Sequence, residues 1–250
     1  MTPSRIMLLL AAIAVSAAGC GRVSNPAPSP APSPARASPQ AVAPPSLHEA
    51  FRLAFGKPAP ARRDVARDGE HGETLIYDPA ELIPFGGGYA LVSLGHNLSD
   101  CHVCAGAMAI HYLRRGSDGR WTATGAWPEI LYGNGFGEPP RWRLRADLGV
   151  SAMIQSETGW SGQGYSCGSA DLVELAPDGP KLRAEDIPLH YDDAGAVGDD
   201  RATVVDGEIA QGPHGGLRVT YKGSRAGVVD YALKDGRFSR VAGPADIAAC

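Results

Sequence analysis

The 250-residue chain is 44% hydrophobic and 20% charged, a balance that excludes an intrinsically disordered protein. Its formal net charge of −4 comes without a basic stripe, which argues against nucleic acid as a partner. With 32 Gly and 21 Pro it is rich in turns, and that favours short β elements over long helices.

Arg5 precedes an apolar run, Ile6 to Val15, which ends in Ser16-Ala17-Ala18-Gly19-Cys20. A run this short, followed by small residues, has the form of a secretory signal rather than a mature membrane span. Residues 1–19 are therefore expected to be a signal peptide. The Ala17-Ala18-Gly19-Cys20 ending resembles a bacterial lipobox, which implies Cys20 as the lipidated first residue of the mature chain. The alternative is a soluble secreted protein with an incidental Cys20. Gly21 and Arg22 follow in place of Asp, and the resemblance to lipoprotein sorting rules then implies the outer membrane, facing the periplasm. Loss of Arg5 with the signal takes the formal charge from −4 to −5.

The Pro/Ala/Ser-rich stretch up to residue 45 cannot form a core and favours extended polyproline II, at about 3.1 Å per residue. Residues 20–45 are read as a tether and 46–250 as a single β-rich domain. Ser46-Leu47-His48-Glu49 is a capping box, and Leu47, Ala50, Phe51, Ala54 and Phe55 follow at helical spacing. Gly56 and Pro58 close this helix.

Short strand-like runs come next, at Thr74–Tyr77, Tyr89–Leu94, Met108–Leu113, Val150–Gln155, Leu172–Leu175, Arg218–Tyr221 and Val228–Leu233. Asp78-Pro79-Ala80-Glu81 has the form of a capped turn, and Pro244 to Ile247 of another. Asp118-Gly119, Asp178-Gly179 and Asp235-Gly236 each lie between two such runs, where Asp-Gly is a strong hairpin signal. The fold expected is all-β, an antiparallel hairpin meander or a propeller-like array, with one short N-terminal helix.

Beyond Cys20 there are four cysteines, Cys101, Cys104, Cys167 and Cys250, which in an oxidising compartment are expected to form two disulfides of undetermined pairing. Cys101-His102-Val103-Cys104 lacks the following His that haem attachment needs, and no βαβ pattern supports a thiol oxidoreductase. Zinc could recruit Cys101, Cys104, His102 and His111, but no second Cys-x-x-Cys exists to complete such a site, so a structural disulfide is preferred. Asp192, Asp193, Asp199 and Asp200 form a weak calcium candidate without EF-hand spacing; a solvated acidic loop is the simpler reading. No cofactor is expected.

Residues 156–169 hold four glycines, a Trp and a Tyr, and are expected to make a protruding hairpin tip that presents aromatic rings and hydroxyls. Two motifs overlap there. Gly164-Tyr165-Ser166-Cys167-Gly168 matches the Gly-x-Ser-x-Gly nucleophile elbow of esterases, with an Asp among 192–200 and His214 following in order. Its surroundings are neither a buried strand before nor a helix after, as an elbow requires. Ser161-Gly162-Gln163-Gly164-Tyr165 has the form Ser-Gly-x-x-Tyr, which resembles the loop motif of periplasmic lysozyme inhibitors; the lipobox, spacer and β domain are similar in layout to immunity lipoproteins against peptidoglycan-cutting effectors.

The resemblance implies a non-enzymatic binding protein whose Ser161 and Tyr165 enter a muramidase cleft and bond to its carboxylates, with Trp160, Gly162 and Gln163 beside them. An acidic domain suits a basic lysozyme-like partner. The alternatives are an envelope lipoprotein with a purely structural role, its Trp160 and Tyr165 packed inward, and a serine esterase using Ser166.

Overall fold

The computed structural model describes residues 43–65, 72–99, 101–149, 151–244 and 247. The expected signal peptide, the lipidation candidate Cys20, the expected tether up to residue 42 and Cys250 lie outside the described residues, as do positions 245 and 246 of the expected last turn.

The expected helix forms as α1, Leu47–Phe55. Ser46 Oγ accepts the Glu49 N–H at 3.2 Å, and Gly56, at φ 70°, returns its own N–H to Arg52 O at 2.9 Å. One face buries Ala50 and Phe51 against Leu75, Tyr77, Leu91 and Leu113. Ser46→Ala is expected to cost about 1 kcal/mol in urea unfolding, and Ser46→Gly only a few tenths.

Thirteen strands follow: β1 Ala61–Val65, β2 Glu73–Phe85, β3 Gly88–Asn97, β4 Ala107–Arg115, β5 Trp121–Tyr132, β6 Arg141–Arg145, β7 Met153–Gly162, β8 Tyr165–Ala176, β9 Gly179–Asp192, β10 Val204–Gln211, β11 Leu217–Gly223, β12 Gly227–Lys234 and β13 Arg237–Ala242. They make a five-stranded sheet, β1 to β5, and an eight-stranded sheet, β6 to β13. Every strand pairs antiparallel with its sequence neighbours within its sheet. The protein is all-β with one short helix, and the meander is the arrangement observed. Blades of equal size, as a propeller needs, are absent among the described residues.

The three Asp-Gly pairs are indeed hairpin turns, joining β4 to β5, β8 to β9 and β12 to β13. Asp78–Glu81 is not a turn: it continues β2 across a bulge at Pro79/Glu81. Proline is tolerated because β1 pairs only with Glu73–Tyr77, which leaves β2 an edge at Pro79.

Alternation along β4 explains the layering. Ala107, Ala109 and Leu113 face α1, whereas Met108, Ile110 and Tyr112 meet Ile154, Val173 and Leu175 of the second sheet. On the far side of that sheet, Met153, Ala170 and Leu172 pack on Val205, Ile209, Val219 and Val229. The eight strands therefore roll over a core of their own. Arg183 Nη1 on β9 donates to Gly236 O at 2.6 Å, and Arg237 on β13 pairs with Glu185 at 2.7 Å. Three register shifts between β8 and β9 supply the bend.

Candidate functional site

Residues 156–169 are strand almost throughout. β7 runs to Gly162 and β8 resumes at Tyr165, so the turn is only Gln163-Gly164, with φ of 53° and 86°. Two successive positive φ values give the turn that matches strand twist, which is why a glycine is needed at 164. The expected hairpin tip is present, with regular strand reaching to within two residues of its apex.

Nor is the tip a free finger. A Cβ on Gly164 would lie 2.4 Å from Ala196 N and from Gly195 C, so the turn rests on the short helix α2, Ala194–Val197. The aromatic tip and the acidic loop are thus in contact.

Trp160 is 56% exposed and Tyr165 38%, with Ser161 and Gln163 also exposed. Neither ring is packed inside the molecule. The register pairs Trp160 with Cys167, Ser161 with Ser166, and Gly162 with Tyr165. Alternation therefore puts Trp160 and Tyr165 on one face of the hairpin and Ser161 and Ser166 on the other. Ser161 Oγ donates to Ser166 Oγ at 3.0 Å, and the Tyr165 ring leans toward Tyr191, with centroids 6.5 Å apart.

Beside the hairpin lies an open groove whose other wall is the 133–138 loop. Asn134 Oδ1 accepts the Gly159 N–H at 2.7 Å and ties the two walls together. That loop is locked in turn to residues 101–104: Phe136 N–H donates to Cys101 O at 3.0 Å and Gly137 N–H to Cys104 O at 2.6 Å. Cys101 and Cys104 form a disulfide with each other, which closes the 101–104 turn. The His102 and Phe136 rings stand 4.3 Å apart at the rim.

Cys167 is also disulfide-bonded, and its partner lies outside the described residues. Zinc at the Cys-x-x-Cys is ruled out because both sulfurs are spent on each other. His111 is buried instead beneath Phe55, ring centroids 4.6 Å apart.

The acidic loop, preferred above over the weak calcium candidate, turns its carboxylates to its own backbone. Asp192 Oδ1 accepts the Ala194 N–H at 2.7 Å and Asp193 Oδ1 the Thr203 N–H at 2.6 Å. These carboxylates cap backbone, and among the described residues no three His, Cys, Asp or Glu side chains converge.

The elbow geometry fails as well. Ser166 is the second residue of β8, between strands, rather than on a strand-to-helix corner. β10 pairs with Asp192 at Val204 and runs on to Gln211 before the turn that carries His214. The seven steps of strand from Val204 to Gln211 carry the chain about 23 Å along β10, away from the row that holds Ser166, before the turn with His214.

Sequence reasoning missed the second wall. Gly133-Asn134-Gly135-Phe136-Gly137 interleaves glycine with an aromatic and an amide just as the tip does, and that pattern was the available signal. Phe136 is 56% exposed. At the other end of the groove Asp186 is held by Asp171, whose carboxylate accepts its backbone N–H at 2.9 Å. Burial pushes the Asp171 carboxyl above the usual carboxylate range.

No family model, curated protein or solved structure matches the chain. Among the described residues no helix is long and apolar enough to cross a membrane.

Proposed function

We propose that this chain is a lipid-anchored, periplasm-facing binding protein that blocks a lysozyme-type peptidoglycan hydrolase by inserting the β7–β8 tip, residues 159–166, into the enzyme's cleft. The observation that carries this reading is the exposed Trp160 and Tyr165 pair on a two-stranded tip with a two-residue turn. A rigid aromatic pair gives contact area at low entropic cost.

The hairpin acts as a wedge. One cleft wall meets the Trp160/Tyr165 face and the other meets the Ser161/Ser166 face, where hydroxyls can donate to an ionised carboxylate. The neighbouring acidic loop favours a basic partner. The sequence at Cys20 supplies the anchor, and the Pro-rich tether the reach.

The test is inhibition of a muramidase panel by the 46–250 domain and by the Ser161→Ala/Tyr165→Ala double variant. Loss of about 2 kcal/mol or more, roughly 30-fold in the inhibition constant, is expected at unchanged melting temperature. Equal inhibition by the double variant would remove the tip from the interface. No inhibition of any muramidase, with none retained in pull-downs, would leave an envelope protein of structural role.

A further inference from the structure

We infer that the groove between the β7–β8 hairpin and the 133–138 loop is a binding site for a neutral oligosaccharide. It is formed by two adjoining cavities of about 530 and 550 Å³ that share Asn134, Thr158, Gly159 and Trp160. Each falls in the size range of small-molecule sites, and the shared lining residues make them neighbours.

The composition of the walls selects the ligand class. Trp160 and Phe136, each 56% exposed, offer flat apolar faces, and the CH-rich face of a pyranose packs on such a ring. Between and beyond them stand planar hydrogen-bonding groups suited to vicinal hydroxyls: the Asn134 amide, Glu157 and Arg141 toward one end, Asp186 with Ser169 at the other. Ser169 Oγ donates to Asp186 Oδ1 at 3.3 Å, so that carboxylate is already oriented.

Two acids face one lining arginine, and Glu157 is further offset by Arg143 at 3.3 Å. Among the described lining residues no cationic cluster is present to hold a phosphate or a polyanion. A wholly apolar ligand would strip water from the carboxylates and the Asn134 amide, whose bonds to Ser169, Arg143 and Gly159 use only part of their hydrogen-bonding capacity. A ring with an apolar face and a hydroxylated edge satisfies both kinds of wall. The site does not rest on the inhibitor reading, because it needs no second protein.

Trp160 is the exposed tryptophan among the described residues, so intrinsic fluorescence reports on the groove. The 46–250 domain is titrated with tetrasaccharides of β-1,4-linked N-acetylglucosamine, β-1,4-linked glucose and α-1,4-linked glucose, and binding is confirmed by calorimetry. At least one is expected to bind and shift the emission. Trp160→Ala should weaken it by about tenfold or more, Trp160→Phe should restore most of the affinity, and Phe136→Ala should weaken it independently. Failure of all three sugars and of a broad glycan array, or undiminished binding by a folded Trp160→Ala domain, overturns the assignment. Either result leaves the muramidase test untouched, and loss of muramidase inhibition in turn leaves the sugar titration unchanged.

Discussion

Gly135→Ala is expected to destabilise the domain by about 3 kcal/mol and to lower its melting temperature by roughly 6–12 °C. A Cβ at position 135 would lie 1.8 Å from His102 O and 2.8 Å from the His102 carbonyl carbon, distances no packing tolerates. Neither side can give way cheaply. The Cys101–Cys104 disulfide closes the turn that carries His102, and the Phe136 and Gly137 amides are bonded to Cys101 O and Cys104 O. The two loops can separate only by losing those bonds and the His102–Phe136 contact.

Calorimetric melting checks this, with Gly149→Ala as the matched control. At 149 a Cβ would meet only the flexible Met153 Cε at 3.5 Å, and the change should stay within about 0.5 kcal/mol. If both variants melt together with wild type, the loops are not interlocked and the groove has no fixed second wall.

The second large effect is acid sensitivity centred on His111. It is 4% exposed, lies against Phe55, and its Nδ1 has no hydrogen-bond partner. Burial first, and the nearby Arg63 charge second, bring its pKa from near 6.5 down to about 4. The unfolded chain therefore binds this proton more readily than the folded one. The contribution to stability is complete above pH 6.5 and is lost as the pH falls toward about 4, a total of about 3 kcal/mol.

Other groups titrate in the same region. Asp171, raised by burial, acts in the opposite sense, gaining stability as the pH falls. The difference between wild type and His111→Phe isolates the histidine. Urea unfolding between pH 7 and 4 should show wild type losing stability relative to the variant, whatever their absolute values. Parallel curves would mean that His111 is protonated without cost.

The parts of this architecture that were readable from sequence are those fixed by local chemistry. α1 was legible because Ser46, Glu49 and Gly56 cap it and its apolar stripe has helical spacing. Three hairpins were legible from Asp-Gly at 118–119, 178–179 and 235–236, and the tip from its cluster of glycines. Strands with charged or mixed faces were not. Arg141–Arg145 does alternate arginine with Trp142 and Leu144, but over only five positions, and Arg237–Ala242 has no regular alternation; neither strand has a fully buried side chain. Gly179–Asp192 is bent by register shifts against β8, and a bulge breaks the period of two.

The candidate site divides in the same way. Trp160 and Tyr165 stood out because large rings beside glycines are conspicuous at the level of sequence. Their opposite-face relation to Ser161 and Ser166 needed the strand register. The groove itself joins residues about 25 positions apart through the Asn134–Gly159 hydrogen bond, and such long-range pairing leaves no local trace.

Amide hydrogen exchange of the 46–250 domain, alone and with an equimolar inhibited muramidase, tests most directly whether the hairpin is the part that engages the enzyme. New protection should be confined to the β7–β8 tip around 159–166 and its immediate neighbours in the 133–138 loop and α2. Protection located elsewhere on the two sheets, with the tip exchanging as in the free domain, would contradict the proposal.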